Sequence, residues 1–233
     1  KEITESSLFE ADKFSLIVEG KDSYEVSKLI LKQVTENGEK TVERIVSGAE
    51  ISNEIENLPL RNDNEPVTTG KYDYTLTVID KAGKETTVKA TVVVDKSAPV
   101  VEIKTPDSSY EGISAISNNE YVFTGTATEN GTYESGVDSY SYLLKAKNVA
   151  PTENDVWINS PTGTNWTFTK AIGNADGQLK EGKYTLYVKA KDKAGNESPY
   201  VSRNFDVDKA KPVQSLSLNP VKENKIYDDT FSI

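Results

Sequence analysis

The sequence predicts an all-β protein built from two successive antiparallel β-sandwiches. Three observations predict it: a set of motifs that occurs twice about 112 residues apart, short segments in which apolar and polar residues alternate, and turn residues between those segments. Alternation with a period of two is typical of a strand with one buried face. Several short strands joined by turns favour a sandwich over a mixed fold.

The internal repeat consists of three motifs at matching spacings. Both copies contain Gly-Lys-Tyr, then Asp-Lys-Ala-Gly, then Val-Asp-Lys. Because the period is about the length of one ordinary domain, each copy is expected to fold as a unit. The motifs occupy 70–72, 80–83 and 94–96 in the first copy, and 182–184, 192–195 and 207–209 in the second.

The spacing of the repeats predicts the domain organisation. We expect a first domain at 1–96 with an incomplete first strand, a second at 97–209, and the opening strands of a truncated third repeat at 210–233. The chain contains no Met, which predicts an interior piece of a longer polypeptide. The linker at 95–98 is short, so neighbouring domains are expected to lie end to end.

Alternating segments place the strands of each copy in order. In the first copy, Glu36-Asn37-Gly38 is a hairpin signal between two strands. The segment from Val26 to Gln33 also fits a helical stripe, but its alternating counterpart at 137–144 favours a strand. The predicted strands are Phe14–Glu19, Leu29–Val34, Thr41–Val46 and 72–79 with 86–92, then Val100–Lys104, Tyr121–Ala127, Ser139–Leu144, Trp166–Lys170 and 184–190 with 201–207.

The last two strands of each copy meet at the Asp-Lys-Ala-Gly motif. Gly83 and Gly195 suit a left-handed backbone position at the end of a short hairpin turn. Asp80 and Asp192 are placed to accept backbone N–H groups where the turn begins. We therefore predict that a hairpin closes each domain.

A tyrosine precedes each of these hairpins. Tyr72 and Tyr184 each lie two residues after a glycine, at the start of the penultimate strand. This placement is that of a tyrosine corner, in which the ring packs in the core and the hydroxyl binds upstream backbone. The residues two positions later, Tyr74 and Leu186, are predicted to be core.

The G-x-Y-x-x-x-V-x-A-x-D-x-A-G-N stretch at 182–196, followed by V-D-x-x-x-P at 207–212, resembles bacterial immunoglobulin-like domains. The first copy departs from the pattern with Lys84 where the second has Asn196. The resemblance implies tandem immunoglobulin-like antiparallel β-sandwiches arranged end to end, in an extracellular or cell-surface protein. It implies a non-catalytic stalk, adhesin or surface-layer segment, whose first partners are other repeats of the same chain. The alternative is an accessory or carbohydrate-binding module of a secreted polysaccharide-degrading enzyme.

Composition excludes several classes of chemistry. The chain has no Cys and no His, which removes thiolate nucleophiles, zinc–cysteine sites and Ser-His-Asp catalysis. With 27 basic and 37 acidic residues, the net charge of −10 disfavours nucleic acid or an anionic membrane as a partner. Apolar runs are far shorter than a membrane span. We expect no enzymatic activity and no membrane insertion.

Several acids are predicted to meet at the junction of the two domains. In this type of sandwich, the loop after the penultimate strand lies at the pole that receives the preceding linker, which brings Asp192 near Asp95. The loop before strand 137–144 adds Glu129, Glu134 or Asp138. Converging carboxylates suit Ca²⁺, which binds six to eight oxygens. The alternative is that Asp192 caps its own turn and the other acids form a solvated rim.

The two tryptophans both belong to the second copy. Trp166 is predicted to be core, because Trp is usually largely buried. Trp157 is predicted at an edge or loop, where it could stack on a sugar ring beside Tyr140 or Tyr142. A host or cell-wall protein or a glycan is therefore a candidate partner.

Overall fold

The computed structural model describes residues 7–9, 14–62, 65–107, 115–116, 119–161, 165–211 and 213–215. These residues form strands and no helix, so the all-β prediction is confirmed. The first sandwich contains β1 (Ser7–Phe9), β2 (Phe14–Thr35), β3 (Gly38–Leu58), β4 (Gly70–Asp80) and β5 (Glu85–Val94). The second contains β6 (Val100–Thr105), β7 (Ala115–Ile116), β8 (Glu120–Thr128), β9 (Val137–Ala146), β10 (Ile158–Pro161), β11 (Asn165–Ala171), β12 (Gly182–Asp192) and β13 (Val201–Val207).

Two long, bent strands make most of the first sandwich. The sheet order is β1-β5-β4-β2-β3. Beyond a register shift between Lys21 and Val26, β2 pairs with both β3 and β4, whereas its first half pairs with β3 alone. This first half folds over the sheet, since the ring of Phe14 packs edge-on against Tyr74 at 6.0 Å. β2 and β3 therefore contribute to both layers.

The prediction of separate strands at Phe14–Glu19 and Leu29–Val34 was wrong in one respect, because both lie within β2. Glu25 takes up the bend with a left-handed backbone (φ 66°), so the chain changes layer without leaving the strand. The segment that also fitted a helix is part of this strand. The predicted hairpin at Glu36-Asn37-Gly38 joins β2 to β3, where Thr35 pairs with Gly38.

The second sandwich stacks a five-stranded sheet on a three-stranded one. The strand orders are β10-β9-β12-β13-β7 and β11-β8-β6. Phe123 of the smaller sheet packs edge-on against Phe205 of the larger at 5.2 Å, and both are buried. Trp166 is also buried, as predicted, and its indole N–H donates to the carbonyl of Thr126 at 3.2 Å. The buried apolar residues of the two sandwiches form two distinct clusters.

A tight turn closes the last hairpin of each sandwich. Gly83 and Gly195 have φ values of 78° and 107°, which a side chain would strain. The Asp80 carboxylate accepts the N–H of Lys84 at 2.8 Å. Asp192 accepts the equivalent N–H of Asn196 at 2.8 Å. The two copies of the motif therefore build the same turn.

The tyrosines before these hairpins make the bond that defines a tyrosine corner. Tyr72 donates its hydroxyl to the carbonyl of Thr68, and Tyr184 donates to that of Lys180, each at 2.9 Å. The donor lies four residues after the acceptor in both cases. Each bond fixes the loop that leads into the penultimate strand.

The strands predicted for a third repeat at 210–233 lie almost wholly outside the described residues and remain a prediction. Across the described ranges, no helix is long and apolar enough to span a membrane.

Candidate functional site at the domain junction

The junction begins with Asp95, the first residue after β5. Asp95 is fully buried. One carboxylate oxygen accepts the N–H of Ser97 within the linker at 3.0 Å, and the other accepts the N–H of Ser135 at 2.7 Å. Ser135 belongs to the loop between β8 and β9 of the second sandwich. A single linker side chain is therefore bonded to the domain that follows it.

The β8–β9 loop adds two more carboxylates at this point. Ligand oxygens of Asp95, Glu129 and Glu134 all lie within 4.8 Å of one another. We refer to these three residues as the junction cluster. Both side-chain oxygens of Glu129 and Oε2 of Glu134 are buried without a hydrogen-bond partner. Buried carboxylates without partners are costly, so this arrangement calls for a proton or a cation.

Burial and neighbouring negative charges raise the pKa of both glutamates of the cluster. Burial, helped by the negative charges of Asp192, Asp95 and Glu134, raises the pKa of Glu129 to about 7. The N–H of Gly136 opposes the shift without reaching hydrogen-bond geometry. The pKa of Glu134 is raised for the same reasons, burial first and then Asp95 and Asp192.

Without metal, stability is expected to fall as the pH rises from about 4.5 to about 7. In this window the folded state retains the Glu129 proton, whereas the unfolded chain, with a pKa of 4.5, has released it. The folded state therefore binds more protons, and rising pH favours unfolding. Thermal melts in EDTA across this pH range, made on the wild type and on Glu129→Gln, measure this change in stability.

The difference between the two pH profiles isolates the contribution of Glu129 from that of the other acids. The stability of the wild type should decline more steeply with pH than that of Glu129→Gln. Parallel pH profiles would contradict the assignment.

Asp192 lies beside the cluster but is committed to its own turn. Its Oδ1 accepts hydrogen bonds from the backbone N–H groups of Gly195 and Asn196. Its Oδ2 accepts a hydrogen bond from Nδ2 of Asn196 at 2.8 Å. The Asn196 amide also donates to the carbonyl of Asp95 at 3.0 Å. Asn196 therefore ties the hairpin turn to the linker, and Asp192 contributes charge without being one of the clustered ligands.

Of the other predicted ligands, Glu129 and Glu134 join the cluster and Asp138 does not. Asp138 is exposed, early in β9. Its neighbour Val137 pairs with Asp192 beside the junction, but the exposed side chain of Asp138 is not among the clustered ligands. Asp138 is therefore a correction to the predicted ligand set.

A second contact between the domains lies on the same loop. The hydroxyl of Tyr133 donates to Oε1 of Glu36, in the β2–β3 turn of the first domain, at 3.2 Å. This bond raises the pKa of Tyr133, because the nearby carboxylate disfavours the phenolate. Sequence reasoning missed this contact, as it joins residues 97 positions apart.

The corresponding pole of the first domain is built differently. The backbone N–H of Lys81 donates to the carbonyl of Glu25 at 3.0 Å, as the N–H of Lys193 does to the carbonyl of Gly136. The two turns therefore make equivalent backbone hydrogen bonds. The ammonium of Lys81 is paired with the Glu25 carboxylate. Lys84 replaces Asn196. Among the described residues, this pole has no counterpart of the junction cluster.

The structure places Trp157 away from the tyrosines predicted beside it. Tyr140 and Tyr142 are buried in the core, where Tyr140 packs against Trp166 and Tyr142 stacks on Phe168. Trp157 is half-buried and packs against Tyr200 at 6.3 Å between ring centroids. The prediction of its neighbours was wrong because Tyr140 and Tyr142 point inward from β9, while Trp157 lies on the other face of the sheet.

Comparison with known proteins agrees with the fold. Two family models, each described as a bacterial Ig-like domain, match residues 3–96 and 136–209.

The chain is a tandem array of bacterial Ig-like domains.

The bacterial Ig-like array is also similar to solved structures. One contains the fibronectin(III)-like modules of Clostridium thermocellum CbhA, with 17% identity, a TM-score of 0.37, and coverage of 87% of this chain and 89% of that one. Another is a tetra-tandem repeat from the extending region of a large adhesion protein, with 15% identity and a TM-score of 0.36. In that case the match covers 85% of this chain and 50% of the other. No curated protein matches the sequence.

Proposed function

We propose that this Ig-like array is a structural module of a bacterial cell-surface protein, and that Ca²⁺ stiffens its domain junction. The observation that carries the proposal is the junction cluster, whose oxygens converge within 4.8 Å and in part have no partner. A surface location is supported by the family and by the acid excess, which favours solubility.

The donor set fits a hard cation. The cluster offers oxygen ligands and no nitrogen or sulfur, which is the preference of Ca²⁺. Asp95, Glu129 and Glu134 would hold the ion, with each carboxylate giving at least one oxygen. A bound cation would offset the repulsion among these acids and satisfy the unpartnered oxygens. Because Asp95 is in the linker and the two glutamates are in the second domain, the ion would resist bending between the domains.

We assign these acids to metal binding rather than to catalysis. They are enclosed at a contact between two domains, whereas a pair of catalytic acids needs an open cleft for its substrate. The proposed role is mechanical: the array separates a functional region from the cell surface, or presents its own faces to a partner.

Calcium should raise the melting temperature of the EDTA-treated protein. At a Ca²⁺ concentration about 100 times the dissociation constant, the gain is about 2.7 kcal/mol. For a domain of this size that corresponds to roughly 10 °C. Glu129→Gln and Glu134→Gln should lose most of the shift. Melts followed by circular dichroism in Ca²⁺ and in EDTA measure it.

The matched control is Asp138→Asn, which removes a nearby acid that lies outside the cluster. It should retain the full calcium shift. Spin labels on the two domains should report a narrower distance distribution with Ca²⁺ than with EDTA. Identical melts with and without calcium would remove the metal from the proposal.

A further inference from the structure

The second domain carries a mixed aromatic and polar surface on the outer face of its larger sheet. Asn159 of β10 pairs with Ser141 of β9, which in turn pairs with Lys189 of β12. Side chains of paired residues share a face, so these three form one polar row across the sheet. Their strand neighbours Tyr140, Tyr142, Val188 and Ala190 are buried on the inner face.

Two aromatic rings lie beside this polar row. Trp157, immediately before β10, is half-buried, and its ring centroid is 6.3 Å from that of Tyr200, which is 48% exposed. Tyr200 packs edge-on against the buried Tyr187 at 5.3 Å. The ammonium of Lys189 lies 5.0 Å from the indole centroid of Trp157. We refer to Trp157, Tyr200, Lys189 and Asn159 as the outer patch.

The loop that presents Trp157 is held in place. The Asp155 carboxylate accepts the N–H of Thr152 and pairs with Lys145, each at 2.6 Å. The hydrogen bond from Lys145 is the main reason that the pKa of Asp155 is lowered to about 2. Tyr187 also donates its hydroxyl to the carbonyl of Val149 in this loop at 3.1 Å. The indole is therefore positioned before any partner arrives, which reduces the entropy lost on binding.

The chemistry of the outer patch matches a pyranose ring. A sugar presents an apolar face of C–H groups and an edge of hydroxyls. The patch presents two aromatic rings beside the amide of Asn159 and the ammonium of Lys189, with the hydroxyl of Ser141 in the same row. Lys189 is paired with Glu197 at 2.9 Å, so its positive charge is compensated. A compensated charge favours an uncharged ligand over an anionic one.

We propose that the outer patch binds the pyranose rings of a neutral polysaccharide. Trp157 and Tyr200 would stack on ring faces, while Asn159, Lys189 and Glu197 would exchange hydrogen bonds with hydroxyls. The patch lies on the face of the sheet and none of its residues belongs to the junction cluster. The two proposals therefore stand or fall separately.

Native affinity electrophoresis tests the proposal. The chain is run through gels that contain barley β-glucan, xyloglucan, xylan or mannan. We expect at least one polymer to slow the wild type. Trp157→Ala and Tyr200→Ala should each weaken the retardation about tenfold or more.

The controls separate this site from other causes of retardation. Tyr24→Ala removes a tyrosine that is 67% exposed on the first domain and should retain binding. Glu129→Gln should also retain it, whatever the outcome for calcium. Tyr200 is about half exposed, at 48%, so Tyr200→Ala should stay folded with a melting temperature near that of the wild type even if Trp157→Ala does not.

Three results would overturn the inference. They are no retardation by any of the four polymers, equal retardation of the wild type and Tyr200→Ala, and a wild-type dimer in sedimentation that Tyr200→Ala dissolves. The last would identify the patch as a contact between copies of the chain.

Discussion

Replacing Gly125 with alanine should strongly destabilise the second domain and leave the stability of the first unchanged. Gly125 lies in the central strand of the smaller sheet, paired with Ile103 on one side and Trp166 on the other. A Cβ atom there would lie 2.0 Å from the carbonyl oxygen of Glu102 and 2.1 Å from the indole of Trp166. A backbone carbonyl cannot rotate away, and the buried indole has no free volume to enter.

The expected cost of Gly125→Ala is about 3 kcal/mol or more. Both tryptophans of the chain lie in the second domain, so tryptophan emission reports that domain alone. A fall of roughly 12 °C or more in the fluorescence melt is expected.

The matched control is Gly70→Ala in the first domain. A Cβ at Gly70 would meet no atom within 4 Å, so the melt of the first domain, followed by circular dichroism, should not move. A melting temperature of Gly125→Ala within about 2 °C of the wild type would contradict the packing of Trp166 over this glycine.

Truncating the tyrosine of the second corner should have the next largest effect. The ring of Tyr184 stacks on the buried Phe205 at 5.6 Å, and its hydroxyl donates to Lys180. Loss of a large core ring typically costs about 3–5 kcal/mol, and we expect about 3 for Tyr184→Ala because the ring is partly exposed. Tyr184→Phe removes only the hydrogen bond and should cost about 0.5–1.5 kcal/mol.

The two changes at Tyr184 test different parts of the corner. Urea titrations followed by tryptophan emission measure both. Tyr72 makes the same bond in the first domain, so Tyr72→Phe should leave the emission transition in place while destabilising its own domain. If Tyr184→Ala and Tyr184→Phe cost the same, the ring would contribute nothing to the core.

The two domains share a turn but differ in the loop that faces the preceding linker. In the first domain the chain passes through the bend after Lys21 within one continuous strand. In the second, residues 129–136 form a longer loop that carries two glutamates and Tyr133. The junction between the domains therefore depends on a loop that the first copy lacks.

Features that depend on neighbouring residues were predicted well. The Asp-Lys-Ala-Gly turns, the tyrosine corners and the hairpin at 36–38 each depend on residues a few positions apart, whose backbone preferences act locally. The convergence of acids from the 129–138 loop on Asp95 was expected from sequence, because strands that alternate in direction place particular loops at each pole, although Asp138 was also among the expected acids.

Predictions that needed strand register were less accurate. Whether Asp138 joins the acids depends on where β9 starts, and a shift of one residue turns a side chain to the opposite face. The neighbours of Trp157 required the same knowledge, since Tyr200 lies just before β13, and the pairing of β13 with β12 places it beside that strand. The continuity of β2 depends on Glu25 accepting a left-handed backbone, which no short-range pattern demands.

By itself the sequence determined that this protein is a duplicated all-β array, since periodicity, turn residues and repeat spacing are local properties of the chain. The tertiary structure alone decided that Asn196 bridges Asp192 to the linker, that Tyr133 reaches Glu36, and that part of the junction cluster has no hydrogen-bond partner. These contacts join residues that are distant in sequence. Whether a buried oxygen finds a partner depends on every group packed around it, and only the folded chain specifies those groups.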